Sequence, residues 1–191
     1  AKGAYKTKPL VMGKRIAIRK ARNDASEIAV KENATHLAML DDDMVVQPDT
    51  LDILLAANKP IVGSLCFTQE GHACSFVNDG NGGEMFDPSP PKSGLHQRAA
   101  IGSGFILIET AVLRELERPW FYFDRTPRTM DVNFCRDAIA AGFSVWCSSD
   151  AKIQQLNHKA FVSPEFGAQN ADSAERESPG DDEQRIAGFS A

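Results

Sequence analysis

Three consecutive carboxylates, Asp41-Asp42-Asp43, close a short apolar run and form the clearest chemical signal in the chain. Adjacent like charges repel, and a fold gathers them only where a cation or a set of donors offsets that cost. Side chains alternate in an extended segment, so Asp41 and Asp43 are expected to share one side while Asp42 faces away, which leaves D-x-D as the functional spacing. Mg²⁺ or Mn²⁺ suits such a pair, because these ions favour oxygen ligands, keep open positions and bridge to phosphate oxygens. The competing reading is an acidic turn that caps the helix following Pro48. Asp131 is the next candidate. It falls in the first turn of an expected helix, where aligned amide dipoles favour a carboxylate, and simple helix stabilisation would explain it equally well.

The elements that must position these residues follow in order. Pro9 to Met12 is a short apolar run, and Ile18, Ala21, Ala25 and Ile28 keep helical spacing up to Asn33-Ala34. His36 to Leu40 reads as a buried strand whose carboxyl end opens at the aspartates. Pro48-Asp49 begins a helix with Leu51, Leu54 and Leu55 inward, and Pro60 to Phe67 is the next strand. Thr68 to Ser93, rich in Gly, Asn, Asp and Pro, reads as loop or hairpin. Ala99 to Ile108 is apolar around Gly102-Ser103-Gly104, after which Thr110 caps a short helix. Thr129 caps a further helix that Gly142 ends; Phe143 to Cys147 makes a strand, and Ile153 to His158 a last one. Strands alternating with helices predict an α/β sandwich, in which ligands bind beyond the carboxyl ends of strands.

The whole chain bounds the possibilities. Its 191 residues fit one domain over a sheet of five or six strands, and 42% hydrophobic with 25% charged residues is the composition of an ordinary folded protein. Residues 1–165 are read as that domain and 166–191 as a polar, acidic, flexible tail, in which Ala171 to Ala191 carry six acids against Arg176 and Arg185. The net charge is -5, yet Lys2, Lys6, Lys8, Lys14, Arg15, Arg19, Lys20 and Arg22 open the chain with no acid among them. Such a run offers a dock for an anion or a solvated basic face. No nucleic-acid partner is expected. No window approaches the roughly 18 apolar residues of a membrane span and no leader resembling a signal peptide opens the chain, so a cytoplasmic protein with no transmembrane segment is the expectation. Cys66, Cys74, Cys135 and Cys147 show no C-x-x-C pairing, and two of them sit inside apolar runs, where a cysteine usually serves as a small buried hydrophobe; a structural zinc site is the minor alternative.

Beyond these readings the chain resembles a known family. Arg22-Asn23 through "ATHLAMLDDDMVVQPDTLDILLAANKPIVGSLCF" looks like the donor half of GT-A fold glycosyltransferases, particularly the short, family-2-like bacterial and phage type. There an R-N helix leads to a strand, a D-x-D, a helix and a strand beginning I-V-G. "AAIGSGFILIETAVLREL" is similar to the family's G-x-G-F strand, and "TMDVNFCRDAIAAGFSVWCSSDAKIQQLNHKAF" to its segment closing on L-x-H-x-x-F. These motifs cover about residues 15–161 in the family's order. Met130 stands where the family usually carries Glu, and the strand and loop that cradle the nucleotide base, some tens of residues ahead of the R-N helix in the family, are expected to be lacking here.

The resemblance implies a three-layer α/β/α sandwich with a mixed, mostly parallel sheet, and metal-dependent transfer of a hexose-type sugar. The donor would be a nucleoside-diphosphate sugar and the acceptor a hydroxyl of a glycan or another molecule. It implies Asp43 as a direct ligand of Mn²⁺ or Mg²⁺, with Asp41 on the donor or a metal-bound water and His158 as the second protein ligand. Arg22, Asn23 and Asp42 fall on the donor side, and Asp131 takes the proton of the attacking hydroxyl in inverting members. Gly102, Ser103 and Gly104 would let acceptor or donor sugar approach the backbone, although a strand bulge explains the glycines as well. Trp120 could face a sugar ring or sit in the core. Two rivals stand beside this reading: a non-catalytic binding or structural module of the same fold, and a haloacid dehalogenase-like phosphatase built on Asp41-x-Asp43.

Overall fold

Periodicity places the first helix where it is found, α1 (Ile18–Lys31), with Arg22, Ala25, Ser26 and Ala29 on its buried face. It ends at a left-handed Asn33 (φ 54°), a conformation that asparagine tolerates better than most residues. The computed structural model describes residues 5–10, 17–68, 71–81, 83–126 and 128–156, with the backbone of 161–162. Part of the expected Pro9–Met12 run, His158 and the 166–191 tail lie outside the described residues.

After α1 come β1 (His36–Leu40), β2 (Met44–Val46), α2 (Thr50–Ala56) and β3 (Ile61–Ser64). The Gly- and Asn-rich stretch folds into β4 (Ser75–Asn78) and β5 (Glu84–Phe86), and β6 (Leu95–Arg98) and β7 (Ala100–Ile101) follow it. The chain then forms β8 (Phe105–Glu109), α3 (Thr110–Glu115), α4 (Met130–Ala140), β9 (Val145–Ser148), β10 (Ile153–Leu156) and β11 (Phe161–Val162).

This is an α/β fold with a mixed five-stranded main sheet ordered β1-β8-β3-β9-β6. The expectation of a mostly parallel sheet is corrected: β3 with β9 is parallel, whereas β1 with β8, β8 with β3, and β9 with β6 are antiparallel. Parallel neighbours need a long crossover. β8 has none before it, because the chain passes straight from β7 through Gly102-Ser103-Gly104 and so enters reversed between β1 and β3. Still, β1, β3 and β9 point the same way, which brings their carboxyl ends and the start of β8 to one edge.

The central strands β3, β8 and β9 are buried on both faces, which is why they read as apolar runs rather than alternating ones. Ile61, Ile106 and Ile108 pack with Val112 and Leu113 of α3 and Phe134, Cys135 and Ala138 of α4. Val62, Phe105 and Leu107 pack on the other side with Leu54 of α2 and Ile153 of β10. Two small sheets flank the main one, β11-β10-β2 and β5-β4-β7. Arg98 on β6 holds the second of these, donating from Nη2 to Asp87 (2.9 Å) and from Nε to the Ser75 hydroxyl (2.8 Å).

Local details differ from the expected caps. Thr110 is the first helical residue of α3 rather than its cap, and its hydroxyl donates to the Ala34 carbonyl at 2.5 Å, tying the turn before β1 to α3. Thr129 does occupy the cap position of α4, without a capping bond from its side chain, and Gly142 (φ 92°) follows the helix end.

Candidate functional site

The centre of the site is a single guanidinium. Arg22, carried on the buried face of α1, is only 6% exposed, and it donates from Nη2 to both carboxylate oxygens of Asp41 (3.1 and 3.2 Å) and from Nη1 to Oδ1 of Asp131. Residues from the end of β1 and the first turn of α4 are thereby joined through α1. The guanidinium carbon also lies 5.9 Å from the centre of the Phe121 ring, which stacks on Phe134 at 4.7 Å. The neighbouring Asn23 grips the same segment, donating from Nδ2 to the Phe121 carbonyl (2.8 Å) and accepting from the Phe121 amide (3.2 Å). The R-N pair therefore has two structural tasks, one on carboxylates and one on backbone. The rest of the basic run is partly paired within the chain, Lys8 with Glu32 and Lys20 with Asp24.

The aspartate triplet is a tight turn and not an extended segment. The Met44 amide donates to the Asp41 carbonyl at 3.1 Å, so strand alternation is not what orients the three side chains. Asp42 is exposed and Asp41 and Asp43 are half-buried. Asp41 is anchored at the strand end by its amide, which donates to the Gly104 carbonyl (3.0 Å). Asp43 accepts from Nε2 of Gln155 at 2.8 Å, and its carbonyl accepts from the Leu156 amide at 2.7 Å, fixing the turn against β10. Gln155 is a site residue that no sequence signal singled out.

Burial pushes the Asp41 carboxyl above its ordinary value; Arg22 pulls the other way, and the charges of Asp131 and Asp43 add to the rise. Asp41 therefore holds its proton more readily than an exposed carboxyl would. Among the described residues no three His, Cys, Asp or Glu side chains converge tightly enough to hold a metal by themselves. Mg²⁺-like ions usually take one or two carboxylates and complete their shell with water and phosphate. The carboxylates of this turn that could take such a part are Asp41, whose two oxygens accept from Arg22, and Asp43, which accepts from Gln155.

A cavity of about 390 Å³ opens at this edge of the sheet, lined by Asp41, Asp131, Gly102, Ser103, Gly104 and Gln155, with Met44, Cys66, Phe67, Thr68 and Cys74 completing the wall. Asp43 reaches it only through Gln155. The two glycines have an assignable packing reason. A Cβ on Gly104 would come within 2.6 Å of the Met44 methyl, and one on Gly102 within 2.7 Å of the Cys74 Cβ, so the space left by the absent side chains is filled by the protein itself. Ser103 is 2% exposed, and among the described residues its hydroxyl oxygen has no hydrogen-bond partner. Trp120 does not line this cavity: it is buried in the core, where Nε1 donates to the Leu113 carbonyl at 2.8 Å. Its indole nitrogen is satisfied by backbone, which is the core reading of that aromatic.

An α/β fold with a mixed sheet and an acidic cleft at the carboxyl ends of its strands is the class that the geometry defines. A solved structure with a similar fold is that of A197 from STIV, 16% identical, superposing with a TM-score of 0.61 over 82% of this chain and 77% of that one. No protein-family model and no curated protein matches the sequence. Among the described residues no helix is long and apolar enough to cross a membrane.

Proposed function

We propose that this chain is a metal-dependent glycosyltransferase with the three-layer GT-A architecture, moving a sugar from a nucleoside-diphosphate donor to a hydroxyl of a glycan or other acceptor. The observation that carries the reading is the meeting of Asp41 and Asp131 on one guanidinium at the wall of one cavity, with Asp43 beside them. In this reading Asp41 and Asp43 offer carboxylate oxygens to Mn²⁺ or Mg²⁺, and His158 adds its imidazole. When bound, the cation stabilises the charge left on the departing diphosphate. Asp131, with Oδ1 held by Arg22, presents Oδ2 to the acceptor hydroxyl and takes its proton. Arg22 orients both carboxylates and keeps their mutual repulsion from spreading them, which preserves the geometry between turnovers.

The test is a thermal-shift series with nucleoside diphosphates, with and without Mn²⁺. A ligand that binds only the folded state raises the melting temperature by mass action, about 2.7 kcal/mol at a hundredfold excess over Kd. The expected result is a shift that needs both metal and nucleotide and disappears in Asp43→Ala; equal shifts in the two proteins count against the site. A non-catalytic binding module is the second reading. It is favoured by Met130, which puts a buried methionine in the first turn of α4 where an acid could stand beside Asp131. Isothermal titration showing donor binding with neither hydrolysis nor transfer would select it.

A further inference from the structure

Two of the four thiols meet in the wall of the cavity. Cys66, just beyond β3, and Cys74, just before β4, lie opposite one another on two antiparallel segments bridged at Phe67 and Ala73, with the Cys74 amide donating to the Cys66 carbonyl at 2.8 Å. Directly opposed residues of an antiparallel pair sit about 4.5–5.5 Å apart at Cα, inside the range that a disulfide spans. Their side chains face the same way, toward Gly102, whose missing Cβ would lie 2.7 Å from the Cys74 Cβ and 3.4 Å from the Cys66 Sγ. Each thiol lies within the electrostatic reach of the other, and Cys74 is the largest influence on the Cys66 thiol. Cys135 lies on α4 and Cys147 pairs with Gly63 and His96, so neither stands opposite another cysteine; both are buried, as Cys66 is, and burial pushes each of the two up to about 12.

The geometry points to Cys66 and Cys74 as a reversible oxidation site that closes to an intramolecular disulfide in the wall of the cavity, with hydrogen peroxide as oxidant. Cys74, the more exposed of the two, reacts first. Its sulfur attacks the peroxide, an S–O bond forms, the O–O bond breaks, and one water leaves with the thiol proton. Cys66 then attacks the sulfenic sulfur, so that the S–S bond forms, the S–O bond breaks and a second water departs. Two thiols are oxidised by two electrons and the peroxide is reduced to two waters. The neighbouring Cys74 thiol, and burial after it, raise the Cys66 thiol well above its ordinary value and make the closure slow beside that of an exposed, acidic thiol pair.

The experiment treats the folded full chain with hydrogen peroxide, quenches it, unfolds it and alkylates whatever thiols remain, followed by mass spectrometry and peptide mapping. The expected result is loss of two hydrogens, alkylation of Cys135 and Cys147 only, a Cys66–Cys74 cross-linked peptide, and return of all four alkylation sites after dithiothreitol. Cys66→Ser should leave Cys74 as a sulfenic acid that dimedone traps. A cross-link between other cysteines, or oxygen addition at Cys74 in the wild type with no cross-link, would overturn the proposal. So would four intact thiols in folded protein under conditions that oxidise the unfolded chain. The peptide map of the wild type decides the matter even if the variant does not fold, and it is independent of any sugar or nucleotide binding.

Discussion

A guanidinium at 6% exposure facing two half-buried carboxylates offsets charge that the fold would otherwise carry uncompensated. Removing one partner of such a cluster is costlier than never having built it, because the remaining charges lose their counter-ion while staying out of water. Arg22→Met should therefore destabilise the protein by about 2–4 kcal/mol at pH 7, the buried-pair range discounted for the partial exposure of the two aspartates. The pH dependence has a definite sign. Asp41 has a folded pKa raised above its unfolded value, so its contribution favours folding only in acid and is lost as pH rises through the folded pKa. In Arg22→Met the lowering by the guanidinium disappears and Asp41 rises further, so the deficit against wild type should shrink between pH 7 and pH 4. Urea titrations of both proteins at the two pH values measure it. A deficit of the same size at both would mean that Arg22 acts through packing alone.

The segment between β7 and β8 shows how an element can look like a ligand contact in sequence and prove to be a joint. Gly102-Ser103-Gly104 breaks one apolar run into two strands of different sheets, and each glycine makes room for a neighbouring side chain. The two neighbours differ in compliance. Gly102 faces the Cβ and carbonyl of Cys74, which cannot swing away, whereas Gly104 faces the far end of the Met44 side chain. Gly102→Ala should cost about 1–3 kcal/mol as overpacking, and Gly104→Ala less than about 1 kcal/mol. Chemical denaturation of the two variants, with Met44→Ala relieving the second and leaving the first unchanged, tests the assignment. Sequence reading was strong where the period was strong, as in α1, β1 and β8. Between Thr68 and Ser93 the expected loop or hairpin is met by β4 and β5, which pair antiparallel, but their bounds were not legible in a stretch of Gly, Asn, Asp and Pro that has no period of its own. Strand direction was also illegible, because the alternation of helices and strands does not say which strand is inserted without a helix before it.

At the level of the whole molecule, the candidate site is a consequence of global folding. The aspartate turn and Asp131 stood out by residue type and position, but the guanidinium that joins them is 109 residues from Asp131, and nothing local announces such a pairing. Gln155 escaped notice for the same reason, being 112 residues from the Asp43 that it holds. A site assembled over such separations exists only when α1, β1, α4 and β10 are all docked on one sheet, so the two cores on its opposite faces should melt together. The tryptophans report one from each face: Trp120 is buried with the α3 and α4 side chains, and Trp146 packs with the cluster that contains Leu54 and Ile153. Single-tryptophan variants Trp146→Phe and Trp120→Phe should each give one urea transition by fluorescence. For each variant that transition should superpose on its own far-ultraviolet circular dichroism transition, as two-state unfolding requires. If the Trp146 reporter changed at lower urea than the helical signal of the same variant, the α2 face would be opening on its own. Asp43 and Gln155, held by strands on that side, would then come apart while Arg22 and Asp131 remained paired.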